Sequence, residues 1–207
     1  MPNDRSSPAL RRAVFLDRDG VLNRTLTREG RPFPPRSLVE FELLPGVHEA
    51  CQRLKSAGFL LVVATNQPDV GRGTLPKETV EEVHAYLCRE LPIDRVEVAY
   101  AAGGENPPDA FRKPRPGMLL RAARELGIDL TRSFMVGDRW RDIDCGHAAG
   151  CRTVLIDYQY AEELHQLPDH RVKNLVEAAD WILGAGQTPE GRFLLGVGYP
   201  AAGACNA

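Results

Sequence analysis

The chain has 207 residues, 43% of them hydrophobic, with a formal net charge of −2: enough apolar material for one domain with a real core, and no charge excess that would favour nucleic acid or an anionic membrane. It contains no run of about 18 apolar residues, and "MPNDRSSPALRR" has no apolar stretch of the kind a secretory leader needs. Five scattered cysteines, odd in number, suit reduced thiols rather than a disulfide framework. The expectation is a cytoplasmic, monomeric protein with no nucleic-acid or membrane partner.

In chain order, residues 1–12 read as an N-terminal tail and "AVFLD" (13–17) as the first strand. Residues 24–44 carry three prolines and turn residues without a helical period, and read as a flap over the sheet edge. A helix follows from Pro45 to Gly58, a strand at "FLLVVAT" (59–65), a helix opening at Pro76, a strand at "RVEVAYA" (95–101) and a helix from Pro116 to Gly127. "SFMVG" (133–137) and "RTVLID" (152–157) complete the strands, all continuous apolar runs suited to burial on both faces. The alternation predicts an α/β fold with a doubly wound parallel sheet, Rossmann-like, over 13–183, with a small flap and no large cap domain. Residues 184–207, rich in glycine, proline and alanine, read as a loosely ordered tail.

Ligands in such sheets sit beyond the carboxyl ends of the strands. The residues there are Asp17-Arg18-Asp19-Gly20, Thr65-Asn66-Gln67, Arg112-Lys113, and Gly137-Asp138 with Asp142 close behind. Converging carboxylates repel and raise one another's pKa, a conflict that a hard divalent cation resolves. Mg²⁺ is satisfied by two carboxylates, a backbone carbonyl and waters, while a hydroxyl at Thr65 and an ammonium at Lys113 suit the remaining charge of a phosphoryl group. Of the 26 basic residues only four are lysine, so Lys113 carries more signal than any single arginine. "CGHAAGC" (145–151) resembles a metal motif only superficially. Residues two apart do not share a helix face, and a packed or solvent-facing helix is the better reading.

"DRDGVLN", "TNQ", "RKPRPGM" and "GDRWRDI", in this order between Ala13 and Asp157, resemble the four motifs of the haloacid dehalogenase superfamily. More narrowly they resemble its subgroup of D-glycero-D-manno-heptose-1,7-bisphosphate phosphatases and histidinol-phosphatases. The resemblance implies a Mg²⁺-dependent phosphatase in which Asp17 is the nucleophile and Asp19 the general acid and base. It places Mg²⁺ on Asp17, Asp138 and the backbone carbonyl of Asp19, with Asp142 orienting metal-bound water. Thr65 and Lys113 match the phosphoryl-stabilising positions, and Asn66, Gln67, Arg112 and Arg139 the substrate-contacting ones; Arg24 and Arg28 of the flap are candidates for the distal end of the substrate. The implied substrate is a small phosphorylated metabolite, first a sugar phosphate such as heptose 1,7-bisphosphate. Histidinol phosphate is the alternative, and a phosphate-binding pseudoenzyme the other.

One element departs from the pattern. The subgroup's zinc-loop ligands fall on Ala101, Gly103, Asp109 and Phe111, of which only Asp109 offers a ligand atom. No structural zinc is expected. A receiver-type phospho-acceptor domain also uses Asp, Thr, Lys and Mg²⁺, but the chain order of Asp-x-Asp first and the last acid after the lysine argues against it.

Overall fold

In the computed structural model, residues 9–28, 31–105 and 108–185 are described. Six parallel strands form one sheet in the order β5-β4-β1-β6-β7-β8, where β1 is Ala13–Leu16, β4 Leu60–Asn66, β5 Arg95–Ala99, β6 Phe134–Gly137, β7 Arg152–Ile156 and β8 His170–Val172. β2 (Leu26–Arg28) and β3 (Arg31–Phe33) pair antiparallel as a separate hairpin within the region read as a flap. The helices are α1 (Val47–Ser56), a single turn α2 (Pro68–Gly71), α3 (Lys77–Glu90), α4 (Gly117–Leu126), α5 (Trp140–Ala149) and α6 (Leu175–Ala185). None of the helices among the described residues is long and apolar enough to cross a membrane.

The continuous apolar runs follow from burial on both faces. In β1, Val14 and Leu16 pack with α1, α3 and α6, whereas Ala13 and Phe15 pack with α4 and α5, and all four side chains are fully buried. The sheet therefore divides the core in two, and β1 lies at its centre between β4 and β6. That position brings the end of β1 beside the ends of both neighbours, where Thr65 and Asp138 lie.

Two differences from the expected elements stand out, and "CGHAAGC" is helical as expected. Arg11 and Arg12, assigned to the tail, extend the sheet: the Arg11 N–H donates to the Gly127 carbonyl (2.8 Å), and the Arg12 carbonyl accepts from the Leu60 N–H (2.8 Å). β8 and α6 are additions to the expected elements: "HRV" is too short to show a period, while α6 starts at a signal the sequence does carry, Asn174 with Glu177 three residues on, whose N–H donates to Asn174 Oδ1 (2.9 Å). "CGHAAGC" straddles the end of α5, with Cys145 buried in the core and its thiol donating to the Arg115 carbonyl (3.3 Å). The expected tail beyond Ala185 lies outside the described residues.

Candidate active site

Asp17 leaves β1 with its N–H donating to the Val136 carbonyl (2.9 Å), so the nucleophile candidate is pinned to the neighbouring strand. Its Oδ1 accepts from the Arg18 N–H (2.7 Å) and faces the Lys113 Nζ at 2.9 Å. Lys113 is buried and uses all three of its donors, on Asp17, on Asp142 Oδ1 (2.6 Å) and on the Ala64 carbonyl (2.7 Å). Burial alone would lower its pKa, but the two carboxylates push it up, so it is a fixed ammonium. Its backbone is held in turn by Asn66, whose Oδ1 accepts from the Lys113 N–H (2.9 Å) and whose Nδ2 donates to the Lys113 carbonyl (3.0 Å).

Asp138, directly after β6, completes the acidic group. One oxygen each of Asp17, Asp138 and Asp142 lie within 4.8 Å of one another. Burial, opposed by Lys113 and reinforced by Asp142 and Asp19, pushes the Asp17 carboxyl up to about 6. Asp138 is raised well above the usual carboxylate range by burial and by the charges of Asp142 and Asp17. Two glycines make this crowding possible. A Cβ on Gly20 (φ +86°) would stand 2.2 Å from Asp138 Oδ2, and one on Gly137 would stand 2.1 Å from the Asp142 Cβ. Asp142 lies in the first turn of α5 and its Oδ2 accepts from the Arg139 N–H (3.1 Å), so both of its oxygens are engaged. That leaves Asp17 and Asp138 as the carboxylates with coordination capacity to spare.

Asp19 points elsewhere. Its carboxylate accepts from the Arg18 guanidinium (2.9 to 3.2 Å), Asn23 Nδ2 (3.0 Å) and Gln67 Nε2 (2.8 Å). Burial raises its pKa, but the Arg18 charge and these hydrogen bonds outweigh burial and hold the carboxyl below its ordinary value. Gln67 also donates to Thr65 Oγ1 (3.0 Å). Gln67 is buried and donates to Asp19 and Thr65, while Asn66 holds the Lys113 backbone and also lines the cavity over the site. Arg18 and Asn23 were not singled out in the sequence, although they stand inside the "DRDGVLN" motif.

An open cavity of about 350 Å³ covers these groups. Asp17, Asp19, Asp138 and Lys113 form its floor, and Arg72, Arg112, Arg139 and Arg141 line it further out. Burial and the like charges of Arg141 and Arg72 lower the Arg112 pKa, against the opposing charges of Glu105 and Asp109, so this part of the wall gathers several positive charges. Arg139 forms a two-point ion pair with Glu162 and lies over the Tyr160 ring (5.2 Å). Arg24, considered for the distal end of the substrate, is paired with Glu42 (3.0 Å) and does not line the cavity; the Arg28 side chain lies outside the described residues. The loop after β5 is tied by arginines, Arg72 donating to the Ala102 carbonyl (3.2 Å) and Arg112 to the Ala101 carbonyl (2.9 Å).

Residues 110–178 match the HAD-hydrolase-like family model. The chain is 34% identical over 202 residues to the D-glycero-D-manno-heptose-1,7-bisphosphate 7-phosphatase of Thermosynechococcus vestitus, covering 83% of this chain and 95% of the relative. The chain belongs to the haloacid dehalogenase family of phosphatases. A second relative of the same name, from Chlorobaculum tepidum, is 35% identical over 196 residues, covering 84% of this chain and 95% of its own. Among solved structures, the D,D-heptose 1,7-bisphosphate phosphatase of B. bronchiseptica, complexed with magnesium and phosphate, superposes on this phosphatase with a TM-score of 0.70 at 28% identity, covering 84% of this chain and 98% of that one.

Proposed function

We propose that this phosphatase hydrolyses a small sugar phosphate, with D-glycero-D-manno-heptose 1,7-bisphosphate as the first candidate, through an aspartyl phosphate on Asp17. The observation that carries this reading is the arrangement around Asp17: a carboxylate on the floor of a cavity, a buried lysine at 2.9 Å, and a second carboxylate two residues on, held in a separate network. The substrate class is supported by the names of the relatives and by the arginine-lined outer wall.

In the first half-reaction an Asp17 oxygen attacks phosphorus while the bond from phosphorus to the sugar oxygen breaks, and Asp19 gives that oxygen its proton. In the second, Asp19 takes a proton from water as the water oxygen attacks phosphorus and frees Asp17. The network around Asp19 favours the ionised form that the second step needs. The proton for the first can enter with the phosphate monoester, whose second ionisation lies near pH 6. Lys113 holds the Asp17 oxygen and offsets charge near the phosphoryl group.

The donors fit a hard divalent cation such as Mg²⁺, since the Asp17 and Asp138 carboxyls, both raised by burial and by neighbouring acidic charge, bring oxygens within 4.8 Å of each other. Asp17 and Asp138, with the Asp19 carbonyl, would hold it, and when bound it supplies charge stabilisation to the phosphoryl oxygens. This makes a thermodynamic prediction. The folded-state value of about 6 for Asp17 exceeds the ordinary 3.8, so without metal the folded protein binds more protons than the unfolded chain, and Asp17 costs stability progressively as pH rises from about 4 to about 6. Lys113, raised above its ordinary value, stays charged across this window and does not alter the sign. Added Mg²⁺ is therefore expected to raise Tm more at pH 7.5 than at pH 5, where protons compete for the same oxygens. A larger rise at pH 5 would contradict this ligand set.

Activity is tested by phosphate release with and without Mg²⁺, over both anomers of heptose 1,7-bisphosphate, histidinol phosphate and several hexose phosphates. One dominant metal-dependent signal on a heptose bisphosphate is the expected result. Release confined to histidinol phosphate would reassign the substrate, and binding without release would point to a pseudoenzyme. Metal analysis of protein prepared without added metal is expected to find no stoichiometric zinc, since Ala101, Gly103 and Phe111 offer no ligand atoms.

A further inference from the structure

Arg18 is 1% exposed, and a guanidinium buried to this degree is costly unless its N–H groups find acceptors. Nε and Nη2 are taken by Asp19, and Nη1 faces the Nε2 of His84, on α3, at 3.4 Å. Arginine only donates, so the His84 Nε2 must accept, and the ring proton of a neutral imidazole then sits on Nδ1. That atom is buried and without a hydrogen-bond partner, its nearest carboxylate oxygen being Glu81 Oε2 at 3.9 Å. Glu81 in turn accepts from the Tyr100 hydroxyl. Burial and the neighbouring Arg18 charge hold the His84 pKa down at about 4, against the weaker opposing pull of Glu81 and Asp19, so at neutral pH the ring carries no charge that would repel the guanidinium.

We propose that His84 is a positioning residue for proton transfer by Asp19, accepting from Arg18 and so fixing the guanidinium whose other N–H groups hold the Asp19 carboxyl. The proposal rests on the reading of Asp19 as the acid and base. Arg18 is gripped from two sides, by Asp19 through Nε and Nη2 and by His84 through Nη1, and a long side chain gripped from one side only is free to rotate about its remaining torsions. With the acceptor on the far side in place, the guanidinium keeps one orientation and presents the Asp19 carboxyl to the cavity in one position.

The test compares kcat/KM for a sugar phosphate and for p-nitrophenyl phosphate in the wild type, Asp19→Asn, His84→Leu and His84→Gln. A nitrophenolate leaves with little help from an acid, whereas a sugar alkoxide needs the proton. Asp19→Asn is expected to lose ~10²-fold or more on the sugar phosphate and much less on the aryl phosphate. His84→Leu should show the same selective pattern on a smaller scale, a loss of about tenfold on the sugar phosphate as the acid drifts from its place. His84→Gln, whose amide oxygen can accept from Arg18, should recover most of it.

Equal losses of His84→Leu on both substrates, or none on either, would overturn the positioning role. If Asp19→Asn itself fails to discriminate between the two, the reading of Asp19 falls first and the proposal with it. Imidazole ¹⁵N shifts of the wild-type protein at pH 7 give an independent check that needs no variant. A neutral ring protonated at Nδ1 is expected, and an imidazolium or a ring protonated at Nε2 would refute the assignment.

Discussion

Asp17→Asn is expected to remove phosphate release almost completely, by roughly 10⁴-fold or more, the scale on which loss of a covalent nucleophile is felt. An amide nitrogen or oxygen cannot form the acyl phosphate, and no other carboxylate stands ready to substitute. Asp19 is tied to Arg18, Asn23 and Gln67, Asp142 has both oxygens engaged, and Asp138 is a proposed Mg²⁺ ligand. The fold should tolerate the change. The substitution removes a negative charge that is raised by burial and by its acidic neighbours, and so offsets the loss of the partner of Lys113. Steady-state release and trapping of a phosphorylated protein check the prediction together. Retention of most of the turnover, or a phosphoenzyme formed by the Asp17→Asn variant, would move the nucleophile elsewhere.

Lys113→Met is expected to harm both activity and stability. Loss of a charge-stabilising donor beside the reacting group costs about 10²–10³-fold in kcat. Removing the cation also strands Asp17 and Asp142, two carboxylates that face it at 2.9 and 2.6 Å, at a cost of about 3–5 kcal/mol, since a buried charge without its partner is far worse than no pair at all. The sign of the pH dependence separates this from simple loss of packing. Without the ammonium that holds it down, Asp17 binds a proton more readily in the folded state, so the deficit should be largest at pH 7.5 and shrink toward pH 5 as it protonates. Denaturant midpoints at the two pH values measure this. A deficit that does not change with pH would mean that the lysine acts by its methylene stem rather than its charge.

The fold was legible where single segments carry the information. β1, β4 and β6 are apolar runs that end in polar residues, and a parallel sheet has only one place for ligands, so Asp17, Thr65 and Asp138 could be set side by side without coordinates. What the residues do for one another was less accessible. Asn66 and Gln67 are amides whose type says only that they hydrogen-bond. That one grips the backbone of Lys113 and the other the carboxylate of Asp19 depends on how the end of β4 turns. Arg139 with Glu162 and Arg18 with His84 join positions 23 and 66 residues apart, and neither Glu162 nor His84 belongs to a motif. His84 could have been suspected only as a histidine on the apolar face of α3, alongside Val80, Val83 and Leu87.

An open sheet has two borders, and one of them is defended by its own brevity. The β8 border is three residues long, with His170 and Arg171 exposed and Arg171 paired to Asp157 at 2.9 Å. Another extended chain adding to that margin would find too short a row of free backbone groups to repay the ordering of the newcomer. Lateral growth of the sheet, a usual route from an open α/β architecture to sticky or fibrous association, is thereby disfavoured on the β8 side.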